Sequence, residues 1–145
     1  MKLYVIFTKK NLAAILAAVI IIIIVAAEAA SARTVFTNGA TNALRTEYIR
    51  GLGYHIDDSC TSSKEITVPE SFSDVYQNYN KLQKKAGFDL SNYKGSKATV
   101  YTYRIIGGSE KNINLIVCDG IIIGGDISDV CFDGDMKPLV KKEKR

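Results

Sequence analysis

The chain opens with a stretch that has no polar face. Lys2, Lys9 and Lys10 precede LAAILAAVIIIIIVAA, an uncharged run of 16 residues over 12–27, and Glu28 is the first acid. A helix packed on a soluble core carries polar residues on one side. Here every position is apolar, and with Ala29 and Ala30 the run approaches the roughly 20 residues that a helix needs to cross a bilayer. The pattern predicts a cytoplasmic stub and transmembrane signal anchor over 1–32, with the lysines inside and the rest of the chain outside the cell membrane. Ala30-Ser31-Ala32 is a small-x-small cleavage pattern, so the alternative is a secretory signal removed after Ala32.

Beyond residue 32 the hydrophobic positions become periodic. Residues 33–40 read as a tether, and the domain follows over 41–140. In TNALRTEYIRGLG, Leu44, Tyr48 and Leu52 recur four apart with Ile49 beside them, which predicts a helix capped by a left-handed Gly53. YHIDDSC and KEITV read as short extended segments around a polar turn. Pro69 excludes helix upstream, and Ser71 with Asp74 resembles a capping box for a second helix. Its expected apolar stripe is Phe72, Val75, Tyr76, Tyr79, Leu82 and Ala86.

The end of that helix is written in KKAGFDLSNYKG. Lys84 and Lys85 suit the negative end of the helix dipole. Gly87 and Phe88 fit the left-handed residue and the apolar residue after it in a Schellman ending. Asp89 and Ser91 are turn formers, with the Asp89 side chain expected to accept from the N–H of Ser91 or Asn92. Leu90 and Tyr93 read as core anchors.

The second half alternates. In KATVYTYRII, Tyr101, Tyr103 and Ile105 share one face, and Val100, Thr102 and Arg104 the other. NINLIVC, then Asp119-Gly120, then IIIGGDIS predict a hairpin with a type I′ turn, pairing Cys118 with Ile121 and Val117 with Ile122. Both faces are apolar near the turn, which places this hairpin inside a sheet. The fold class is α+β: an N-terminal transmembrane helix, then one small domain of two helices packed on an antiparallel sheet ending in a three-strand meander. KKEKR, 141–145, reads as a basic tail.

Charge narrows the partners. After residue 32 there are 19 − 3 = 16 basic and 15 − 1 = 14 acidic residues, a balance of about +2 to which the tail alone gives +3. A folded part so close to neutral lacks the clustered basic footprint of a nucleic-acid binder. The expected partners are the membrane, through the N-terminal helix, and a protein or cell-envelope component.

VPESFSDVYQNYNKLQKKAGFDLSNYKGSKATVYTYRI and IIIGGDISDVCFDGDM together resemble a bacterial domain-of-unknown-function family, number 4830. The features that carry the resemblance are Val68-Pro69, Tyr79-Asn80, Leu82-Gln83, Gly87 to Leu90, Tyr101 to Tyr103, Ile123 to Asp126, and Asp133-Gly134. The resemblance implies a small membrane-anchored or secreted domain of Gram-positive bacteria, and no particular reaction.

Catalytic motifs are not evident. His55 has no nucleophile in a recognisable local motif. IGGD and GGSE lack the helix and Gly-Lys-Ser/Thr ending of a phosphate loop. Cys60, Cys118 and Cys131 have no CxxC spacing; Cys118 reads as a small core residue. Asp126, Asp129, Asp133 and Asp135 read as a solvated turn-forming loop, without the ligand spacing of an EF-hand. No cofactor or metal is expected. The residues singled out as an interaction or structural loop are Gly87, Phe88, Asp89, Leu90, Tyr93, Gly124, Gly125 and Asp126. The expectation is a binding module without catalysis; the alternative is a small cell-envelope hydrolase using Asp89 and Asp126 as a carboxylate pair.

Overall fold

The computed structural model describes residues 37–107, 110–130 and 134–142. They run β1 (Thr37–Asn38), α1 (Asn42–Gly51), β2 (Ser62–Thr67), α2 (Asp74–Lys85), a 3-10 turn (Leu90–Tyr93), β3 (Lys97–Arg104), β4 (Lys111–Cys118), β5 (Ile121–Asp129) and β6 (Met136–Pro138). The apolar run at 12–27, Cys131 and Asp133 lie outside the described residues. No helix among those described is long and apolar enough to cross a membrane.

The expected meander is the centre of one antiparallel sheet, ordered β1-β5-β4-β3-β2, with β6 also paired to β5. Because side chains alternate across a sheet, each strand feeds two cores. Tyr103, Ile113, Leu115, Val117, Ile122 and Ile127 pack with Ile49 of α1 and with Leu139. On the other face Ala98, Ile116, Cys118 and Ile123 pack with Val68 and Leu90, against Tyr76 and Tyr79 of α2. The two helices thus cover opposite faces, which explains why β4 and β5 are apolar on both sides.

The Asp119-Gly120 turn has positive φ at both residues, 48° and 77°, as type I′ demands. It pairs Cys118 with Ile121 and Val117 with Ile122, the expected register, and then the register shifts: Ile116 pairs with Gly124. Ile123 is the extra residue of a β-bulge, and a bulge reverses which face later residues occupy. Asp126 consequently faces α2 and Ile127 faces α1. This corrects the reading of Asp126 as part of a solvated loop: it lies within β5 and is 2% exposed.

Three other expectations change. The tether over 33–40 is in its second half part of the sheet, since Thr37 and Asn38 pair with Ile122 and Ile121. The Gly39 N–H donates to the Gly120 carbonyl at 2.8 Å. These residues cover backbone groups that β5 would otherwise leave unpaired. The basic tail is docked as far as Lys142, whose N–H donates to the Leu52 carbonyl at 2.8 Å. And α2 is capped by Ser73, not Ser71: the Ser73 Oγ accepts from the Tyr76 N–H.

The buried face of α2 is also turned from the expected stripe. Val75 is 80% exposed, whereas Asn80 and Gln83 are buried. The expected stripe followed apolarity alone, but a polar side chain can face a core when it finds partners there. Asn80 uses both ends of its amide, and Gln83 its Oε1, its Nε2 being buried with no hydrogen-bond partner among the described residues. The C-terminus is the expected Schellman ending. Gly87 has φ 86°, Phe88 N–H donates to the Gln83 carbonyl, and Gly87 N–H donates to the Lys84 carbonyl, both at 3.1 Å.

Candidate functional site

Three polar side chains of α2 reach inward, and each meets a residue that the sequence singled out. Tyr79 donates its hydroxyl to Asp126 Oδ1 at 2.8 Å. Asn80 donates from Nδ2 to Asp89 Oδ1 at 2.9 Å, while its Oδ1 accepts from the Leu90 N–H at 2.8 Å. Gln83 accepts at Oε1 from the Gly125 N–H at 2.8 Å. One helix face therefore clasps β5 at two points and the turn after the helix at two more.

Beneath Tyr79 the bonding continues across the sheet. Asn114 Nδ2 donates to Asp126 Oδ2 at 2.8 Å and to Ser128 Oγ at 3.0 Å. Thr102 Oγ1 in turn donates to Asn114 Oδ1 at 2.9 Å. Both oxygens of Asp126 are thus engaged. Burial raises its carboxyl above the ordinary 3.8, and the bonds from Asn114 and Tyr79 offset only part of that rise. Burial also raises the Tyr79 hydroxyl, and the adjacent Asp126 adds to it.

Asp89 has the opposite environment. Its burial raises the carboxyl, but bonds from Ser91, Asn80 and Lys84 outweigh this and hold it well below the usual carboxylate range. The Ser91 N–H donates to Oδ1 at 3.0 Å, the turn expected from the sequence, and the Ser91 hydroxyl adds a second bond at 2.6 Å. Lys84 Nζ lies 3.1 Å from Oδ2. An acid beside a helix C-terminus is poorly placed against the dipole, and these donors compensate for it.

Gly124 and Gly125 let the layers approach. A Cβ on Gly124 would stand 3.0 Å from Gln83 Oε1 and 3.2 Å from Leu90 Cδ2. On Gly125 it would stand 2.8 Å from Leu139 Cδ2 and 3.0 Å from the Asn114 carbonyl oxygen. The pair is needed because helix and chain close in from both sides of one strand. Phe88 and Tyr93 are half-buried, each packed against a different core.

Chemically, hydrolysis by a carboxylate pair needs one protonated and one ionised carboxyl, both reaching a substrate. The two acids are pushed in the two required directions. Yet Asp126 is covered by α2, and every oxygen of both acids is occupied by protein donors. What the arrangement does is fasten a helix to a sheet. Among the described residues no group of acids, histidines and cysteines could hold a metal ion.

The opposed environments predict a pH profile. A raised folded-state carboxyl costs stability at neutral pH and returns it as pH falls toward the ordinary 3.8, so Asp126 produces a rise on mild acidification. A depressed carboxyl contributes stability above 3.8 and loses it below, so Asp89 produces the fall at stronger acid. Denaturation midpoints followed against pH should show Asp126→Asn flattening the first limb and Asp89→Asn the second. Variants with unchanged profiles would contradict these environments.

Residues 48–127, more than half of the chain, match the family model described as Domain of unknown function (DUF4830). The chain belongs to this family. No curated protein and no solved structure matches it. In this DUF4830 chain the features that carried the resemblance interlock: Tyr79-Asn80, Gln83, Gly87 to Leu90 and Gly124 to Asp126 are the parts of the clasp. Tyr101 and Tyr103 belong to a second cluster on the α1 face, which the sequence reading missed. There the buried Arg45 donates from Nε to the Tyr103 hydroxyl at 2.8 Å and from Nη1 to the Gly39 carbonyl at 2.8 Å. Its guanidinium lies 3.6 Å from the Tyr101 ring centroid, and the Tyr103 hydroxyl donates to Asn42 Oδ1 at 2.9 Å. Asn80, Gln83 and Asn114 were also missed; their signal was a polar residue at each inward position of an apolar pattern.

Proposed function

We propose that this chain is a membrane-anchored interaction module whose folded part stands outside the cytoplasm and binds a protein or cell-envelope partner. The observation that carries the non-catalytic part is that Asp89 and Asp126, the only acids the sequence offered as a catalytic pair, spend their hydrogen-bonding capacity inside the clasp. The same observation weighs against a hydrolase. The anchored part rests on the lysine-flanked apolar run at 12–27, and the near-neutral balance beyond it supports a protein or envelope partner over nucleic acid.

The expected result of adding protease to intact protoplasts is digestion of the folded part. Protection until the membrane is broken would contradict this reading, and release of the intact domain into the medium would favour the secreted form cut after Ala32.

A further inference from the structure

The sheet's two margins are finished differently. Beside β5 the chain lays β1 and β6 along the strand. Among the described residues no strand lies along the outer side of β2: it ends the strand order and is exposed along nearly its whole length. Proteins guard such margins with bulges, prolines, short strands or charged side chains, because the unpaired backbone groups template another strand; of these β2 carries the charges, Lys64 and Glu65. The six residues Ser62–Thr67 pair with β3 in unbroken register and contain no proline.

The direction of the backbone groups follows from one bond. The Val68 N–H donates to the Ser96 carbonyl at 2.9 Å, inward toward β3. In an antiparallel ladder the bonded pairs alternate, so Lys64 and Ile66 also bond inward, and Ser63, Glu65 and Thr67 turn their N–H and C=O groups outward. Lys64 and Glu65 are exposed on opposite faces, and among the described residues neither side chain has an ion pair or hydrogen bond. On the Glu65 face a cleft of about 470 Å³ runs from β2 across β3, lined by Glu65, Thr67, Lys97, Thr99, Val117 and Asp119.

A second copy of this chain fits less well than a complementary segment. Outward groups must meet outward groups, so the antiparallel registers that pair at least two outward residues of β2 with one another centre on Glu65, Lys64 or Ile66. The first sets Glu65 against Glu65 and the second Lys64 against Lys64, like charges directly opposed. The third keeps Glu65 paired with Thr67 but sets Ser63 against Pro69, which has no N–H to give, so it loses a bond at each end.

We propose that β2 is a docking edge for an extended segment of a different polypeptide, one with a base opposite Glu65 and an acid opposite Lys64. Main-chain bonds at Ser63, Glu65 and Thr67 would hold the segment, and the two charges would select its register. The inference deepens the interaction reading above and rests on it.

The probe is the peptide Val-Thr-Lys-Glu-Thr-Val, which in antiparallel register sets lysine opposite Glu65 and glutamate opposite Lys64. Added to the isotope-labelled full chain in lipid nanodiscs, it should shift the amides of Ser63, Glu65 and Thr67 in a saturable way. Glu65→Lys should weaken it about fivefold, the scale of one cross-strand charge pair turned repulsive, and the peptide Val-Thr-Glu-Glu-Thr-Val should restore the affinity to that variant. Ser63→Pro removes an outward N–H without touching the β3 ladder, and should lose the peptide while keeping the wild-type denaturation midpoint. Shifts confined to other elements, or none at millimolar peptide, would overturn the docking edge. Such a failure leaves the topology reading standing, because protease accessibility decides that independently.

Discussion

Asp126→Ala should lower the unfolding free energy by about 3 kcal/mol, because it leaves buried donors without their acceptor. Among the described residues the Tyr79 hydroxyl loses its only hydrogen-bond partner, and Asn114 keeps only Ser128 as an acceptor for its amide N–H₂. The carboxylate is itself held at some cost, since burial raises it, and removing that cost offsets part of the loss. Asp126→Asn keeps the shape and an acceptor for Tyr79, but points an amide N–H₂ at the amide of Asn114, so about 1 kcal/mol is expected. A catalytic carboxylate would behave differently: its removal abolishes turnover and leaves the folded state almost as stable as before. Urea denaturation of the two variants separates these cases.

The second large effect is expected at Gly125. Gly125→Val should cost about 3 kcal/mol, the upper part of the range for overpacking a filled core. The Leu139 methyl at 2.8 Å could swing aside, but the Asn114 carbonyl oxygen at 3.0 Å belongs to the neighbouring strand and cannot. Moving that strand would also disturb the Asn114 side chain that bonds Asp126. Thermal denaturation checks this, and a variant as stable as the wild type would mean that the layers are less closely packed than the geometry indicates.

Much of the fold is legible in the residues because its determinants are local. Asp119-Gly120 fixes its own turn type and with it the first two strand pairs. Gly87-Phe88 fixes the helix end, and the alternation in β3 assigns its two faces. The clasp was half legible. Gly87 to Leu90 and Gly124 to Asp126 stood out as glycines and acids in unusual places, but nothing local joined the first group to the second. What joins them is α2, whose sheet-facing side an apolarity count misplaced because Asn80 and Gln83 are buried as hydrogen-bonding partners. The position of Asp126 depended on one further event, the bulge at Ile123. That shift changes the face of every later residue, and its only trace in the sequence is the glycine pair after it. Arg45 was hidden for a similar reason: its partners are a tyrosine hydroxyl, a ring and two carbonyls, none of which marks a charge site in sequence.

The central claim is that Tyr79 and Asp126 act together to hold α2 on the sheet. A double-mutant cycle of Tyr79→Phe and Asp126→Ala, read by urea denaturation, tests it directly. The account predicts that Tyr79→Phe costs about 1 kcal/mol alone and much less once Asp126 is alanine, a coupling of about 1 kcal/mol for residues that share a bond. Additive effects, with each substitution costing the same in the presence and absence of the other, would contradict it.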